Sequence, residues 1–143
     1  MKRILRAVAL LGVLMLTASA VFAQSERGTI VNIPFAFNVG EKTLPAGDYR
    51  IQPYRRDTDK VWLIQNQEQH AGTFVMTIPV RSNTTRDEGQ MIFHRYGEQY
   101  FLSQVWTPCT STGVELPVSR QERAVEVAST TERQTYVLTA HRD

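Results

Sequence analysis

The chain has 143 residues, of which 42% are hydrophobic and 21% are charged, and its formal net charge is +2 at pH 7. This length and hydrophobic content predict one domain with a core of its own, and a charge so close to zero excludes the strongly basic composition that is typical of nucleic-acid-binding proteins. The single cysteine, Cys109, excludes an internal disulfide.

Residues 1–23 have the three parts of a secretory signal peptide: a positively charged start, an uninterrupted apolar run and a small-x-small exit. The parts are Lys2, Arg3 and Arg6, then residues 7–16, then Val21, Phe22 and Ala23. We expect cleavage between Ala23 and Gln24. Residues 24–143 would then form a single β domain that is secreted or periplasmic.

An uncleaved membrane anchor is the alternative interpretation of this segment. Residues 7–23 carry no charge, and their 17 residues reach the lower limit of a membrane-spanning helix. We favour cleavage because only residues 7–16 are strongly apolar, which is the length of the apolar part of a signal peptide.

Removal of the leader changes the charge of the protein. Three basic residues leave with it, so the mature domain has 13 basic and 14 acidic residues, a net charge of −1. Nucleic-acid binding requires clustered positive charge, so we expect no nucleic-acid partner. We also expect no membrane span after processing, since no second apolar run of spanning length follows.

After the leader, short runs of alternating apolar and polar residues predict β-strands. Pro34 interrupts the first run, which suits an edge or a bulge because proline cannot donate to a strand ladder. Residues 44–47 suit a type I turn, and a second strand follows with Tyr49 and Ile51 on one face, up to Pro53. Four large apolar side chains share one face of the first run: Val31, Ile33, Phe35 and Phe37.

The middle of the chain predicts two more strands and a loop. Residues 61–64 are apolar on both faces, which predicts a central third strand covered from two sides, with Trp62 buried. Residues 73–80 are rich in branched and aromatic side chains and predict the fourth strand. Residues 81–90 contain no large apolar side chain, so we expect a solvated, flexible loop there.

The clearest predicted hairpin joins residues 90–96 to residues 99–106. The dipeptide Gly97-Glu98 closes it, and glycine in the first central position suits a two-residue type II′ turn. This turn fixes the pairing of the two strands. The predicted pairs are Phe93 with Leu102, His94 with Phe101, and Ile92 with Ser103.

The last part of the chain predicts one helix and one strand. Ser119 and Glu122 match a capping box, in which each side chain accepts a hydrogen bond from a free backbone amide. A helix over residues 120–128 follows, and residues 135–140 predict a closing strand. The helix has an apolar side that we expect to pack on the sheet: Ala124, Val125, Val127 and Ala128.

About seven short strands with one C-terminal helix predict an all-β domain. The connections up to residue 106 are too short for parallel crossovers, so we expect antiparallel pairing. The spacing leaves open whether the sheets form a β-sandwich or a partly open barrel.

Residues that could carry chemistry are few, and we predict no catalytic, cofactor-binding or metal-binding residue. A nucleophile pair of Cys109 with His94 would require two separated elements to converge, and we expect Cys109 to be a small buried hydrophobe. Tyr96 and Tyr100, near the tip of the hairpin, are the candidates for a surface aromatic patch. The histidines stand at no ligand-like spacing: His70, His94 and His141.

Three stretches of the mature chain carry a family resemblance. Residues 31–37, the turn at residues 44–49, and residues 93–97 leading into residues 100–106 resemble a group of small exported proteins common in acidobacterial genomes. The resemblance implies a bacterial exported β protein. It implies no activity, cofactor or catalytic residue, because none is assigned to that group.

These observations favour an exported, non-catalytic domain that binds a partner or ligand in the cell envelope or outside the cell. One alternative is a small-ligand carrier of barrel type, with an apolar cavity lined by residues of the first strand and the hairpin. Another is an adhesion component that exposes Tyr96 and Tyr100. An envelope hydrolase is a further, less favoured alternative.

Overall fold

The computed structural model describes residues 28–140. The predicted signal peptide, its cleavage site at Ala23 and Gln24, and His141 lie outside the described residues. Within them, no helix has both the length and the apolar character that crossing a bilayer requires. In chain order the elements are β1 (Thr29–Ile33), β2 (Phe37–Val39), β3 (Lys42–Leu44), β4 (Gly47–Arg55), β5 (Thr58–Asn66), β6 (Gly72–Met76), β7 (Ile78–Arg86), β8 (Gly89–Tyr96), β9 (Gln99–Trp106), β10 (Thr110–Glu115), α1 (Arg120–Ala128) and β11 (Gln134–Ala140).

The strands form two sheets, which confirms the predicted all-β class and, of its two alternatives, favours the sandwich, since the described sheets do not close into a barrel. The described residues contain eleven strands rather than about seven, because several predicted strands divide or extend. Sheet A has the order β1-β4-β5-β6, and sheet B has the order β11-β8-β9-β10-β7. The β2–β3 hairpin joins sheet B through one parallel pair, Asn38 with Phe101. All other described pairs are antiparallel, as predicted.

The core lies between the inner faces of the two sheets. Because side chains alternate along a strand, alternate residues of β1, β4 and β5 face the opposite sheet. Tyr49 is fully buried there, and its hydroxyl donates a 2.6 Å hydrogen bond to the carbonyl of Pro45, which ties the predicted turn to the core. Buried core residues come from both sheets: Val31, Ile33, Phe37, Ile51, Ile64, Met91, Phe93, Leu102 and Val114.

Several of the predicted strand limits are wrong. Residues 73–80, predicted as one strand, divide at Thr77 into β6 and β7. The first run divides in two, because the chain leaves sheet A after Ile33 and enters sheet B at Phe37. Phe35 therefore lies between two strands, where its ring stacks on Tyr100 at 3.9 Å. The second strand does not end at Pro53. This residue pairs with β5, and it lies beyond the part of β4 that pairs with β1. Its missing N–H therefore interrupts no hydrogen bond to β1.

The predicted loop at residues 81–90 is also wrong. Most of it belongs to β7, which pairs with β10 as an edge strand of sheet B. An edge strand with exposed faces needs no large apolar side chains, so its polar composition was mistaken for that of a loop. Thr77, buried between β6 and β7, marks the point where the chain passes from sheet A to sheet B.

The hairpin of β8 and β9 confirms most of its predicted pairing. Phe93 pairs with Leu102 and His94 pairs with Phe101, as the turn requires. The pairing then shifts by one residue, so that Ile92 faces Gln104 rather than Ser103. This shift is a β-bulge, which one strand accommodates by an extra residue. Neither the turn nor the alternation of side chains signals it.

Candidate functional site

A groove of about 460 Å³ opens between β6 and the segment that links β10 to α1. Its volume falls within the range of roughly 300–1,000 Å³ that is typical of ligand pockets. Three parts of the chain line it: residues 39–42 at the β2–β3 turn, residues 73–76 of β6, and residues 116–120 with Arg123.

The groove exists because two paired strands separate. β7 and β10 are paired as far as Ile78 and Glu115. On one side the chain leads back through Thr77 to β6 in sheet A. On the other side the amide of Leu116 donates a 2.8 Å hydrogen bond to the carbonyl of Ser103, which keeps that segment on sheet B. A gap therefore remains beside β6.

The outer edge of β6 faces this gap. At one end of the β5–β6 ladder, the carbonyl of Ala71 accepts a hydrogen bond from the amide of Asn66. At the other end, the amide of Thr77 donates to the carbonyl of Lys60. Antiparallel strands alternate the direction of their backbone groups, so the odd-numbered residues between these two bonds face β5. The N–H and C=O groups of Gly72, Phe74 and Met76 therefore point away from β5.

This edge has no partner strand in residues 28–140, since β6 is the last strand of sheet A. Two of its carbonyls already accept a hydrogen bond from a side chain: that of Gly72 from Lys42 Nζ at 2.9 Å, and that of Phe74 from Thr73 Oγ1 at 3.4 Å. The amides of Phe74 and Met76 and the carbonyl of Met76 remain along the groove. They form a short row of donors and acceptors at strand spacing.

The outer face of sheet A carries apolar side chains next to this edge. Phe74 is 58% exposed and Met76 is 75% exposed, whereas Val75 between them is buried. The ring of Phe74 meets Tyr54 edge to face at 4.9 Å. The third predicted strand, now β5, is thus not covered from two sides: Trp62 and Ile64 are buried as expected, but the other face of β5 lies on this surface. The residues that form it, here called the outer stripe, are Tyr54, Val61, Leu63, Phe74 and Met76.

The groove is lined by more positive than negative charge. Lys42, Arg120 and Arg123 are its cations, and Glu41 is its carboxylate. Glu41 Oε1 accepts a 2.8 Å hydrogen bond from the backbone amide of Arg120, so its charge lies against the start of α1. Within the described part of the chain, none of the three cations forms an ion pair with a carboxylate.

A second cluster fixes α1 on the outer face of sheet B. Glu122 is 4% exposed, and a 2.6 Å hydrogen bond joins its Oε1 to Nδ1 of His94. The hydroxyl of Tyr96 donates to the same oxygen at 3.2 Å. Burial raises the pKa of Tyr96, and the nearby carboxylates of Glu122 and Glu126 add to the rise. The cluster replaces the apolar contact that the sequence predicted for this helix.

The helix thus confirms its predicted limits but not its predicted packing. Ser119 Oγ accepts a 3.0 Å hydrogen bond from the amide of Glu122, as in a capping box. The reciprocal bond is not made, because the carboxylate of Glu122 faces His94 and Tyr96 instead. Val127, on the side expected to be buried, is 87% exposed. A glutamate three residues after a serine predicts a helix cap in either case, whether its side chain bonds to the backbone at the helix start or to side chains of the sheet.

The predicted aromatic patch is wrong. Tyr96 is 3% exposed, because α1 covers it, and its ring packs edge to face on Phe101. Tyr100 is half-buried beneath the stacked ring of Phe35. The exposed aromatic side chains that lie close together are instead Tyr54 and Phe74, on the outer stripe.

The structure does not bring Cys109 and His94 together as a nucleophile pair. Cys109 is exposed rather than buried, at a positive φ of 59° in the turn before β10. Its amide donates to the carbonyl of Arg86, near the far end of β8 from His94. Among residues 28–140, no group of three or more histidine, cysteine, aspartate or glutamate side chains is placed to hold a metal ion.

Comparison of the chain with protein-family models, with curated proteins and with solved structures finds no match.

Proposed function

We propose that this chain is an exported, non-catalytic binding module of the bacterial cell envelope. In this proposal it captures an extended segment of a partner protein, which adds to sheet A as a fifth strand beside β6. The predicted leader and the resemblance to exported bacterial proteins support the location. The unpaired edge of β6, open to a groove, is the observation that carries the binding role.

An unpaired strand edge binds extended peptides because its backbone groups supply ready hydrogen bonds. Proteins that do not use such an edge usually protect it with proline, charge or a bulge. β7, the edge of sheet B that leads on from β6, has this protection in Pro79 and Arg81. β6 has the sequence GTFVM, with neither proline nor charge. The contrast between two consecutive edge strands favours a binding role for β6.

The carrier alternative receives less support. It requires an apolar cavity lined by residues of the first strand and the hairpin, but these side chains are buried together in the core: Ile33, Phe37, Phe93 and Leu102. The adhesion alternative depends on Tyr96, which is buried, and on Tyr100, which is half-buried. For an envelope hydrolase, the His94–Glu122 pair offers a histidine oriented by a carboxylate, but no described hydrogen bond joins a serine or cysteine side chain to His94.

The proposal is tested with a pair of substitutions at one position of β6. Phe74→Pro removes an N–H that points into the groove while leaving the bonds to β5 in place, and proline is tolerated at such edge positions. Phe74→Ala is the matched control, because it removes the same ring but keeps the N–H. Circular dichroism and urea unfolding verify that both variants fold.

Binding is measured with peptides selected by the wild-type protein from a random phage-displayed library. We expect Phe74→Ala to bind them within a few-fold of wild type, and Phe74→Pro to bind at least tenfold more weakly, since a lost hydrogen bond and a steric block together exceed about 1.4 kcal/mol. Equal binding by the two variants would contradict strand addition on β6.

A further inference from the structure

We propose that the segment captured on β6 is acidic and alternates apolar with other side chains. This inference rests on the proposed function, because it assigns a chemical class to the partner of the same groove. Two independent features of the groove carry it: the charge of its lining and the outer stripe that it borders.

The charge argument begins from the lining of the groove. Three cations and one carboxylate give it a net charge of +2, whereas the mature domain as a whole carries −1. The positive charge is therefore a local concentration, not a reflection of overall composition. A groove with one sign of charge attracts segments of the opposite sign and orients them as they approach.

The cations also have capacity left for a partner. Lys42 and Arg123 each donate to a backbone carbonyl, Gly72 and Val118 respectively, and neither they nor Arg120 is neutralised by a carboxylate within residues 28–140. Ammonium and guanidinium groups have several donors each. A partner carboxylate can therefore bind them without breaking an existing ion pair.

The alternation argument follows from strand geometry. In an added strand, the residues directly opposite Phe74 and Met76 have their side chains on the outer face of sheet A. There they extend the outer stripe, which favours apolar side chains at every second position. The side chains between these positions in the added strand point to the opposite face of the sheet, on which Val75 is buried.

A second copy of this chain does not fit this description. Its own β6 has the sequence GTFVM, which carries no carboxylate to meet Lys42, Arg120 and Arg123. The groove also has a second wall, residues 116–120, which leaves room for an extended segment rather than for another sheet edge. We therefore assign the groove to a segment of a different protein.

Three synthetic peptides test the inference directly. They share a body of alternating valine and threonine and differ only at two positions, which are glutamate, glutamine or lysine. Fluorescence anisotropy measures their binding to wild type and to the double variant Arg120→Glu/Arg123→Glu. The control is Arg55→Glu, at an exposed arginine that ends β4 outside the groove.

We expect wild type to bind the glutamate peptide roughly three- to tenfold more tightly than the glutamine peptide, and the lysine peptide most weakly, as two surface ion pairs allow. Added salt should reduce these differences in affinity, because it screens the charges. The double variant should reverse the order of the charged peptides, and Arg55→Glu should preserve the wild-type order.

The outcomes separate this inference from the proposed function. If all three peptides bind equally and Phe74→Pro abolishes their binding, the acidic preference is wrong and strand addition stands. If none binds, both proposals fail. If wild type forms a stable dimer that Phe74→Pro dissociates, the occupant is a second copy. Binding of anionic lipid vesicles that Phe74→Pro leaves intact would assign the charge to a membrane surface and overturn the inference.

Discussion

Glu122 on α1 and His94 on β8 are joined by a 2.6 Å hydrogen bond beneath the helix, and the carboxylate is almost fully buried. The helix therefore docks on sheet B mainly through a polar contact. Because Arg120 and Arg123 of the same helix line the groove, this contact also positions the groove wall.

Removal of this contact should destabilise the protein. Glu122→Ala leaves the half-buried His94 and the buried hydroxyl of Tyr96 without their hydrogen-bond partner, and we expect it to lower the free energy of unfolding by about 2–4 kcal/mol. Glu122→Gln keeps an acceptor oxygen and should cost less than half as much. Urea unfolding measures both.

Glu126 provides the control for these two variants. It lies on the same helix but forms a half-exposed ion pair with Arg133, so Glu126→Gln should cost less than about 1 kcal/mol. A loss in Glu122→Ala no larger than in Glu126→Gln would show that α1 does not depend on the buried contact.

Tyr96 predicts a loss of stability at alkaline pH. Burial raises its pKa above the ordinary value of 10.0, with a smaller contribution from the charges of Glu122 and Glu126, and burial also raises the pKa of Tyr49. The folded state thus holds these protons more tightly than the unfolded state. The resulting stability is complete below about pH 10 and is lost as the pH rises through the folded-state pKa values.

Tyr96→Phe removes one of these two groups. We expect the variant to be less stable than wild type near neutral pH, because it lacks the bond to Glu122, but to lose less stability between about pH 9 and 11. Urea unfolding across this range measures the slopes. A Tyr96→Phe slope equal to that of wild type would refute the assignment.

Two glycines with positive φ allow the cost of backbone strain to be measured separately from the cost of steric crowding. Gly47 has a φ of +152°, and an added Cβ would lie 2.7 Å from Nδ2 of the buried Asn66, whereas Gly40 has a φ of +59° with open space around it. We expect Gly40→Ala to cost about 1–2 kcal/mol for strain alone and Gly47→Ala to cost at least about 1 kcal/mol more. Thermal unfolding measures both, and equal losses would mean that Asn66 moves aside freely.

Local patterns in the sequence were enough to predict much of this fold. Ser119 marks the start of the helix, and Gly97 fixes the main hairpin, because caps and turns depend on residues a few positions apart. Tyr49 and Ile51 face the core as their alternation predicts.

The groove could not be predicted in this way. It depends on β7 and β10 parting after Ile78 and Glu115, two residues far apart in the chain whose pairing no local pattern reveals. The polar composition of β7 conceals that pairing, and without the pairing the sequence does not show that the edge of β6 borders a groove. Glu122 was misinterpreted for a similar reason, since its partner His94 lies on another element.

Hydrogen exchange at individual backbone amides of β6 tests the central claim most directly, because the strand carries two kinds of amide. Those of Thr73 and Val75 face β5, and those of Phe74 and Met76 face the groove. We predict that the second pair exchanges quickly in the free protein and becomes strongly protected when the glutamate peptide is bound at saturation, while the first pair is protected in both states. Unchanged exchange at Phe74 and Met76 in the saturated complex would contradict capture of a strand by β6.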